Sequence, residues 1–561
     1  MNRIILPYII LLFFVFSCAP VEKGVAPSHA RYENLEFEMP VVSEPVIPDY
    51  TVSITDFGAV SGGQILNSKA FADAIDHVSA RGGGRVIIPR GLWLTGPIIL
   101  KSNINIHTEE GALVIFSADK DLYPLIETSF EGYNTVRCLS PVYGKNLENI
   151  AFTGKGIFDG TGEVWRPVKK SKTTESQWKT LVRSGGIVDK DGKTWYPSAS
   201  YQQGQKISEM NVPRQLQSIE DYKAIKDFLR PVMVSLIQCN KVLFDGPVFQ
   251  NSPAWCIHPL MCENLTIRNI MVKNPWYSQN GDGLDIESCR NALVHNCSFD
   301  VGDDAICIKS GKDEDGRKRG MPTENVIIRN CVVYHGHGGI TIGSEMSGGV
   351  RNIHASGCTF IGTDVGLRFK STRGRGGTVE NIFYSDIDMI NIPTYALSFN
   401  LYYNGLSVPE MLEEEKNKGG TGTYPPMTEE TPRFRNISIR NITCKGAMQA
   451  LFLQGLPELN LENVMLENIH MEADNGLTCM DANGVYVRNI RLVVKNKPAI
   501  QIYNSMNVDI AGLDVPNMED TGIEIRGEKT ENIRIQSVTP SVAGTAAVIG
   551  EEVKATSIEI L

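Results

Sequence analysis

Three aspartates flanked by glycines, Asp282 in Asn280-Gly281-Asp282-Gly283 and the pair in Gly302-Asp303-Asp304, are the residues of this chain best suited to acid and base work. Carboxyl groups that share a site cannot all ionise without cost, so one keeps its proton while another stays charged. That split supplies an acid and a base to one reacting bond. Downstream lie a histidine between glycines, Gly336-His337-Gly338, and two cations around an aromatic ring, Arg368-Phe369-Lys370. A histidine can tune a proton network, and a guanidinium beside an ammonium suits an anionic group. Each motif alone reads equally well as a turn, because Asp, Asn and Gly are the residues that turns favour.

The motifs become a site once the strands around them are aligned on their apolar pairs: Leu284/Ile286, Ile306/Ile308, Ile340/Ile342 and Leu367/Phe369, each spaced as an inward pair at period two. Asp282 and Asp304 then both stand two residues before the first apolar member, and Asp303 and His337 both stand three before it. Arg368 and Lys370 flank Phe369 and point away from the core, with Lys309 in the register of Lys370. Neighbouring strands lie about 4.8 Å apart. Asp282 and Asp304 can therefore share one water, Asp303 faces a neighbouring position, and the cations form a rung beside them. Unrelated turns would not fall into one register over successive strands. The run Lys312-Asp313-Glu314-Asp315-Gly316 has some look of a calcium loop but lacks the remaining ligands at that spacing, so it reads as a charged turn. No metal and no cofactor is expected.

What positions these strands is a loose repeat. Glu-Asn or Arg-Asn followed by a β-branched run appears at Glu263 and again at Glu148, Arg290, Glu324, Arg351, Glu380, Arg435, Glu462, Arg488 and Glu531. The usual separation, about 25 to 35 residues, is that of a coil in a stacked array. Each unit holds short apolar segments with turn residues between them, and none can bury its inward face alone. An all-β solenoid, a right-handed parallel β-helix, is expected, ahead of a leucine-rich repeat or a propeller. The recurring asparagines read as corner residues that tolerate unusual backbone angles. The stretch from Ser68 to Ala80, with Phe71, Ala74, Ile75 and Val78 on one side, reads as a helix capping the N-terminal mouth. Two long insertions, near residues 163–230 and 402–433, break the rhythm and are expected as loops on the binding face.

The N-terminus carries an export signal over residues 1–17: Met1-Asn2-Arg3, an apolar run from Ile4 to Phe16, then Ser17-Cys18-Ala19-Pro20. The run is short for a membrane span, and Cys18 after a small residue is similar to a bacterial lipobox. Lipidation of Cys18 is expected, with residues 18–49 as anchor and Pro- and Glu-rich tether and residues 50–561 as one β-helical domain. That places the protein outside the cytoplasm in the cell envelope, as an outer-membrane lipoprotein held to the membrane by the lipid only. A net charge of -10 on 561 residues argues against nucleic-acid binding. The 12 cysteines fall inside strand-like runs without zinc-site spacing, so most are expected as free, buried thiols rather than as a dense disulfide framework.

Together the motifs resemble the polygalacturonase family, family 28 of the glycoside hydrolases. Asn280-Gly281-Asp282-Gly283-Leu284-Asp285 is similar to the family's Asn-Thr-Asp segment, with Gly281 in place of Thr, and Gly302-Asp303-Asp304 to its paired aspartates. Gly336-His337-Gly338, followed by Ile342-Gly343-Ser344, resembles its histidine signature, and Arg368-Phe369-Lys370 its Arg-Ile-Lys segment, with Phe369 in place of Ile. The resemblance implies that Asp303 is the general acid, that Asp282 and Asp304 activate water for inversion, and that Asn280, Arg368 and Lys370 hold galacturonate. Carboxylate neighbours should raise the pKa of Asp303. The implied substrate is pectin or its oligogalacturonides, and the long insertions suggest an exo-acting bacterial member. Other readings are a rhamnogalacturonan or substituted-galacturonan hydrolase, a calcium-dependent pectate lyase, and a non-catalytic glycan-binding surface lipoprotein.

Overall fold

The structure, a computed structural model, describes residues 32–216, 218–403, 424–516, 522–539 and 547–560. The expected signal segment, Cys18 and most of the second insertion lie outside these residues. The chain winds as the parallel β-helix that the repeat implies. Inward residues of successive coils pair in register along one column: Val234, Ile257, Leu284, Ile306, Ile340, Leu367, Leu397, Leu451, Leu477, Ile500 and Ile523. All are fully or almost fully buried. At about 1.5–3 kcal/mol for each buried aliphatic side chain, such columns hold together coils that could not stand alone.

Asparagine sets the corners. Asn264, Asn291, Asn325, Asn352, Asn381, Asn436 and Asn463 all adopt left-handed φ between 55° and 58°. Asn264, Asn325, Asn352, Asn381, Asn436 and Asn463 each donate their amide to the residue one coil before at 2.9–3.4 Å. Five residues later a second ladder repeats the device at Asn269, Asn296, Asn330, Asn441, Asn468 and Asn489. The register corrects one assignment from the repeat. Arg488 aligns with Glu467 and not with Glu462, so the Arg488-Asn489 phrase belongs to the second ladder.

The helix Ser68–Ser79 buries Ala70 and packs Phe71, Ala74, Ile75 and Val78 into the main core, capping the first coils. All eleven cysteines among the described residues are buried free thiols. Two expectations need correction. The part of the presumed tether from Tyr32 onward is a packed strap. Val42, 6% exposed, covers the outward apolar residues Leu293 and Ile327, with Tyr32, Leu35 and Met39 beside it. Glu36 bonds His354 and Arg440 at 2.9 Å each, and Glu44 pairs with Arg268. Outward Leu and Ile on a solenoid flank need a cover, and the strap supplies it. The charged run at 312–316 is also not a turn but the start of a short helix, Asp313–Arg319, whose Asp313 is bonded by Tyr133 and Arg375.

The first insertion is a small body with its own apolar cluster around Trp165, Tyr201, Tyr222 and Phe228. It contains the helices Glu175–Arg183 and Ala199–Ile207 and a three-stranded antiparallel sheet. A hairpin formed by Leu125–Phe130 and Tyr133–Cys138 leans against it and sends its tip toward Asp282, Asp303 and Asp304.

Candidate active site

The register expected for the four strands that carry the acids and cations is the observed one: Leu284 pairs with Ile306, Ile306 with Ile340 and Ile340 with Leu367. Asp282 and Asp304 consequently stack, and one oxygen from each of Asp282, Asp303 and Asp304 lies within 4.8 Å of the others. Those oxygens are close enough to share a cation, but Asp304 already has two. Lys370 Nζ donates to Asp304 Oδ2 at 2.7 Å, Arg368 Nη1 to Oδ1 at 3.1 Å, and Thr341 Oγ1 to Oδ1 at 3.0 Å.

The cations reach Asp304 from two coils away, and the coil between them makes this possible. Its strand places Gly338 opposite Asp304. A Cβ on Gly338 would stand 2.1 Å from Thr341 Oγ1, 2.7 Å from Asp304 Oδ1 and 3.4 Å from Arg368 Cδ. The glycine thus leaves the space through which the ion pairs run. Phe369, between the cations, stacks on Phe399 of the next coil with ring centroids 4.1 Å apart, which fixes the strand that carries them.

Electrostatics separates the three acids. Burial disfavours a charge on Asp304, but Lys370 and Arg368 outweigh it and hold its carboxyl well below the usual carboxylate range. Asp282 lacks such partners: burial first, and then the charge of Asp303, push it well up, and its Oδ1 has no bonding partner among the described residues. Asp282 thus favours its protonated form. Asp303 is the acid that faces the cleft, its side chain 23% exposed against 1% for Asp304. His337 Nδ1 approaches it at 3.3 Å and His337 Nε2 lies 3.6 Å from Asp364. The bond to Asp303 raises the pKa of His337.

Several residues of the site went unassigned from sequence. Asp285 is fully buried and pushed well up by burial, with Lys309 3.8 Å away in opposition. Lys309 also pairs with Glu345 at 2.8 Å; burial opposes the Glu345 charge, but Lys309 and Lys370 keep it ionised. Lys309 shares the Lys370 register, which was visible, whereas Glu345 lies in a loop with no strand to index it. Asn280 was expected to touch substrate. It lines the cavity of the three aspartates, and its Oδ1 accepts from Arg230 at 3.0 Å and from Asn211 at 3.2 Å, pinning that turn to the first insertion. Of the two tyrosines at the second insertion, Tyr402 packs into the core while Tyr403 lines the catalytic cavity, with Lys370 Nζ 5.0 Å from its ring centre.

Two spaces meet at Asp303 and His337. A small cavity of about 70 Å³ is bounded by the three aspartates, Lys309, Lys370, Glu345, Trp255, Glu131 and Met210. An open cleft of about 690 Å³ runs past His337 and Asp364 to Trp276. Trp276 is 60% exposed, with Lys172 Nζ 4.0 Å from its ring centre.

The model of glycosyl hydrolases family 28 matches residues 174–407. A protein of Vitis vinifera described as a probable polygalacturonase is 27% identical over 456 residues, 78% of each chain. An exo-poly-alpha-D-galacturonosidase of Dickeya chrysanthemi is 27% identical over 404 residues, 71% of this chain and 62% of its own. The solved structure of a hyperthermoactive exopolygalacturonase from Thermotoga maritima superimposes with a TM-score of 0.67 at 34% identity, covering 80% of this chain and 93% of its own.

Proposed function

This chain belongs to glycosyl hydrolase family 28, and on that premise we propose that it hydrolyses α-1,4 links between galacturonosyl residues of pectin, acting from chain ends. The observation that carries this reading is Asp304, kept anionic by Lys370 and Arg368 while stacked on an Asp282 that favours its proton. One carboxylate of the pair is thus a base and the other a donor, and a water between them is both oriented and deprotonated. Asp303, at the mouth of the cleft, protonates the glycosidic oxygen as the C–O bond breaks, and His337 sets its proton balance. The proton of the attacking water passes to Asp304. The faces of Arg368 and Lys370 not taken by Asp304 receive a substrate carboxylate by charge-assisted hydrogen bonds. End-wise action is supported by the hairpin tip and the first insertion, which wall the cavity with Glu131 and Met210.

Inversion is part of the proposal. Inverting pairs usually stand about 6.5–9.5 Å apart, to leave room for water. Here the oxygens are within 4.8 Å, and the water is held by the stacked pair rather than by distance. The same short spacing favours a second reading, double displacement through a covalent intermediate with retention. Proton NMR of the first product formed decides: a β-anomer from the α-link supports inversion, and an α-anomer supports retention.

The substrate reading is tested by product analysis on polygalacturonic acid beside rhamnogalacturonan. Monomer or dimer from the first time point on polygalacturonic acid is expected. A ladder of intermediate oligomers contradicts end-wise action, turnover of rhamnogalacturonan alone moves the enzyme to that substrate, and an ultraviolet-absorbing unsaturated product contradicts hydrolysis. The proposal also locates the enzyme in the cell envelope, exported by residues 1–17 and lipidated at Cys18. A Cys18→Ser protein that stays in the membrane fraction contradicts the anchor.

A further inference from the structure

We propose that Glu131 is a specificity residue that reads the substrate's carboxylate, its Oε2 donating as a carboxylic O–H to the galacturonate group that enters the cavity of the three aspartates. This rests on the galacturonan reading above. Glu131 sits at the tip of the Leu125–Cys138 hairpin with φ 49°, followed by Gly132 at φ 76°. Two central residues with positive φ make a turn for which Asn and Gly are the preferred occupants. A glutamate in that position carries backbone strain of the kind that functional sites retain. The strained turn holds the side chain inside: Glu131 is only 4% exposed and lines the cavity of the three aspartates.

The two oxygens of Glu131 are not equivalent. Oε1 accepts the Asn211 amide at 2.5 Å, whereas Oε2 has no partner among the described residues. An acceptor bond on Oε1 leaves a proton to Oε2. Charge counting asks for that proton. Five carboxyl groups, Glu131, Asp282, Asp303, Asp304 and Glu345, line the cavity with two lysines, Lys309 and Lys370, and an anionic substrate adds to the excess. Burial pushes the Glu131 carboxyl up and Glu345 adds to the effect, against the Asn211 bond, Lys312 and Arg137. The cavity, about 70 Å³, is far smaller than the neighbouring cleft of about 690 Å³ and suits a small group such as a carboxylate. A carboxylate of that size enters while the ring stays at the mouth. An ester in place of the acid loses the anionic acceptor that the Glu131 O–H would meet.

The test compares kcat and KM of the whole enzyme on an oligogalacturonate and on the same oligomer with its carboxyl groups reduced. Glu131→Ala should raise KM for the acid about ten- to hundredfold, the range for a hydrogen bond to a charged group, and should shift KM for the reduced oligomer little. Glu131→Gln keeps an acceptor for Asn211 and places an N–H donor at Oε2, so it should regain most of what Glu131→Ala loses. Equal losses on both oligomers, or a Gln variant as poor as the Ala variant, overturns the inference. Wild-type enzyme inactive on the oligogalacturonate would instead sink the substrate reading. Asn211→Ala separates the roles, since a purely structural Glu131 would give the same pattern in both alanine variants.

Discussion

Two polar columns run along this solenoid with opposite characters. In the asparagine ladders one residue type returns coil after coil, neutral and bonded to its counterpart on the next coil. Any single member is nearly redundant. In the catalytic column each coil brings a different group, and the bonds skip a coil: Asp304 is held by cations two coils away across Gly338. No neighbour can substitute for a lost member. Repetition therefore builds the scaffold, and departure from repetition, at four successive coils, builds the site.

The sharpest way to break that contrast is Asp304→Asn. It removes the base and leaves Lys370 buried without its anion, so kcat should fall about 10²- to 10⁴-fold and unfolding by denaturant should report a loss of about 3–5 kcal/mol. A stable, active variant would return Asp304 to the status of a corner residue. Lys370→Ala should act next most strongly, through substrate and through Asp304. Its KM for galacturonan should rise far more than for a neutral glycoside. The depressed pKa of Asp304 keeps its charge until pH falls well below the usual carboxylate range; without Lys370 that value rises, so the acid limb of kcat/KM should move toward neutral pH. An unmoved limb would mean that Arg368 alone controls Asp304.

The structural columns should give smaller effects. Val42→Asp puts a charge against Leu293 and Ile327 and should cost about 1–3 kcal/mol while kcat stays put, because the strap lies far in sequence and packing from the cavity. Asn325→Ala should cost about 1 kcal/mol, read by the same denaturant titration, with no change in turnover.

The catalytic column was legible because inward residues fix strand register, and register places Asp282, Asp303, Asp304, His337, Arg368 and Lys370 without knowledge of the fold in space. The asparagine corners were legible for the same reason, although Arg488 was assigned to the wrong corner because two ladders five residues apart share one phrase. Charge state was not legible: Asp304 stays anionic while Asp282 favours its proton, since that depends on which acid the cations can reach. Glu131 escaped because its hairpin is antiparallel and lies outside the repeat. The strap escaped because proline and glutamate suggested a tether, yet Leu35, Phe37 and Met39 at period two were a strand-like signal that went unused.

The central claim is that these in-register acids are the catalytic machinery of a galacturonan hydrolase, and Asp303→Asn on polygalacturonic acid tests it most directly. With Asp303 at the cleft and free of any structural lysine or arginine bridge among the described residues, the substitution should abolish measurable turnover while leaving the unfolding transition in place. Near-normal activity in a folded Asp303→Asn enzyme would contradict the account.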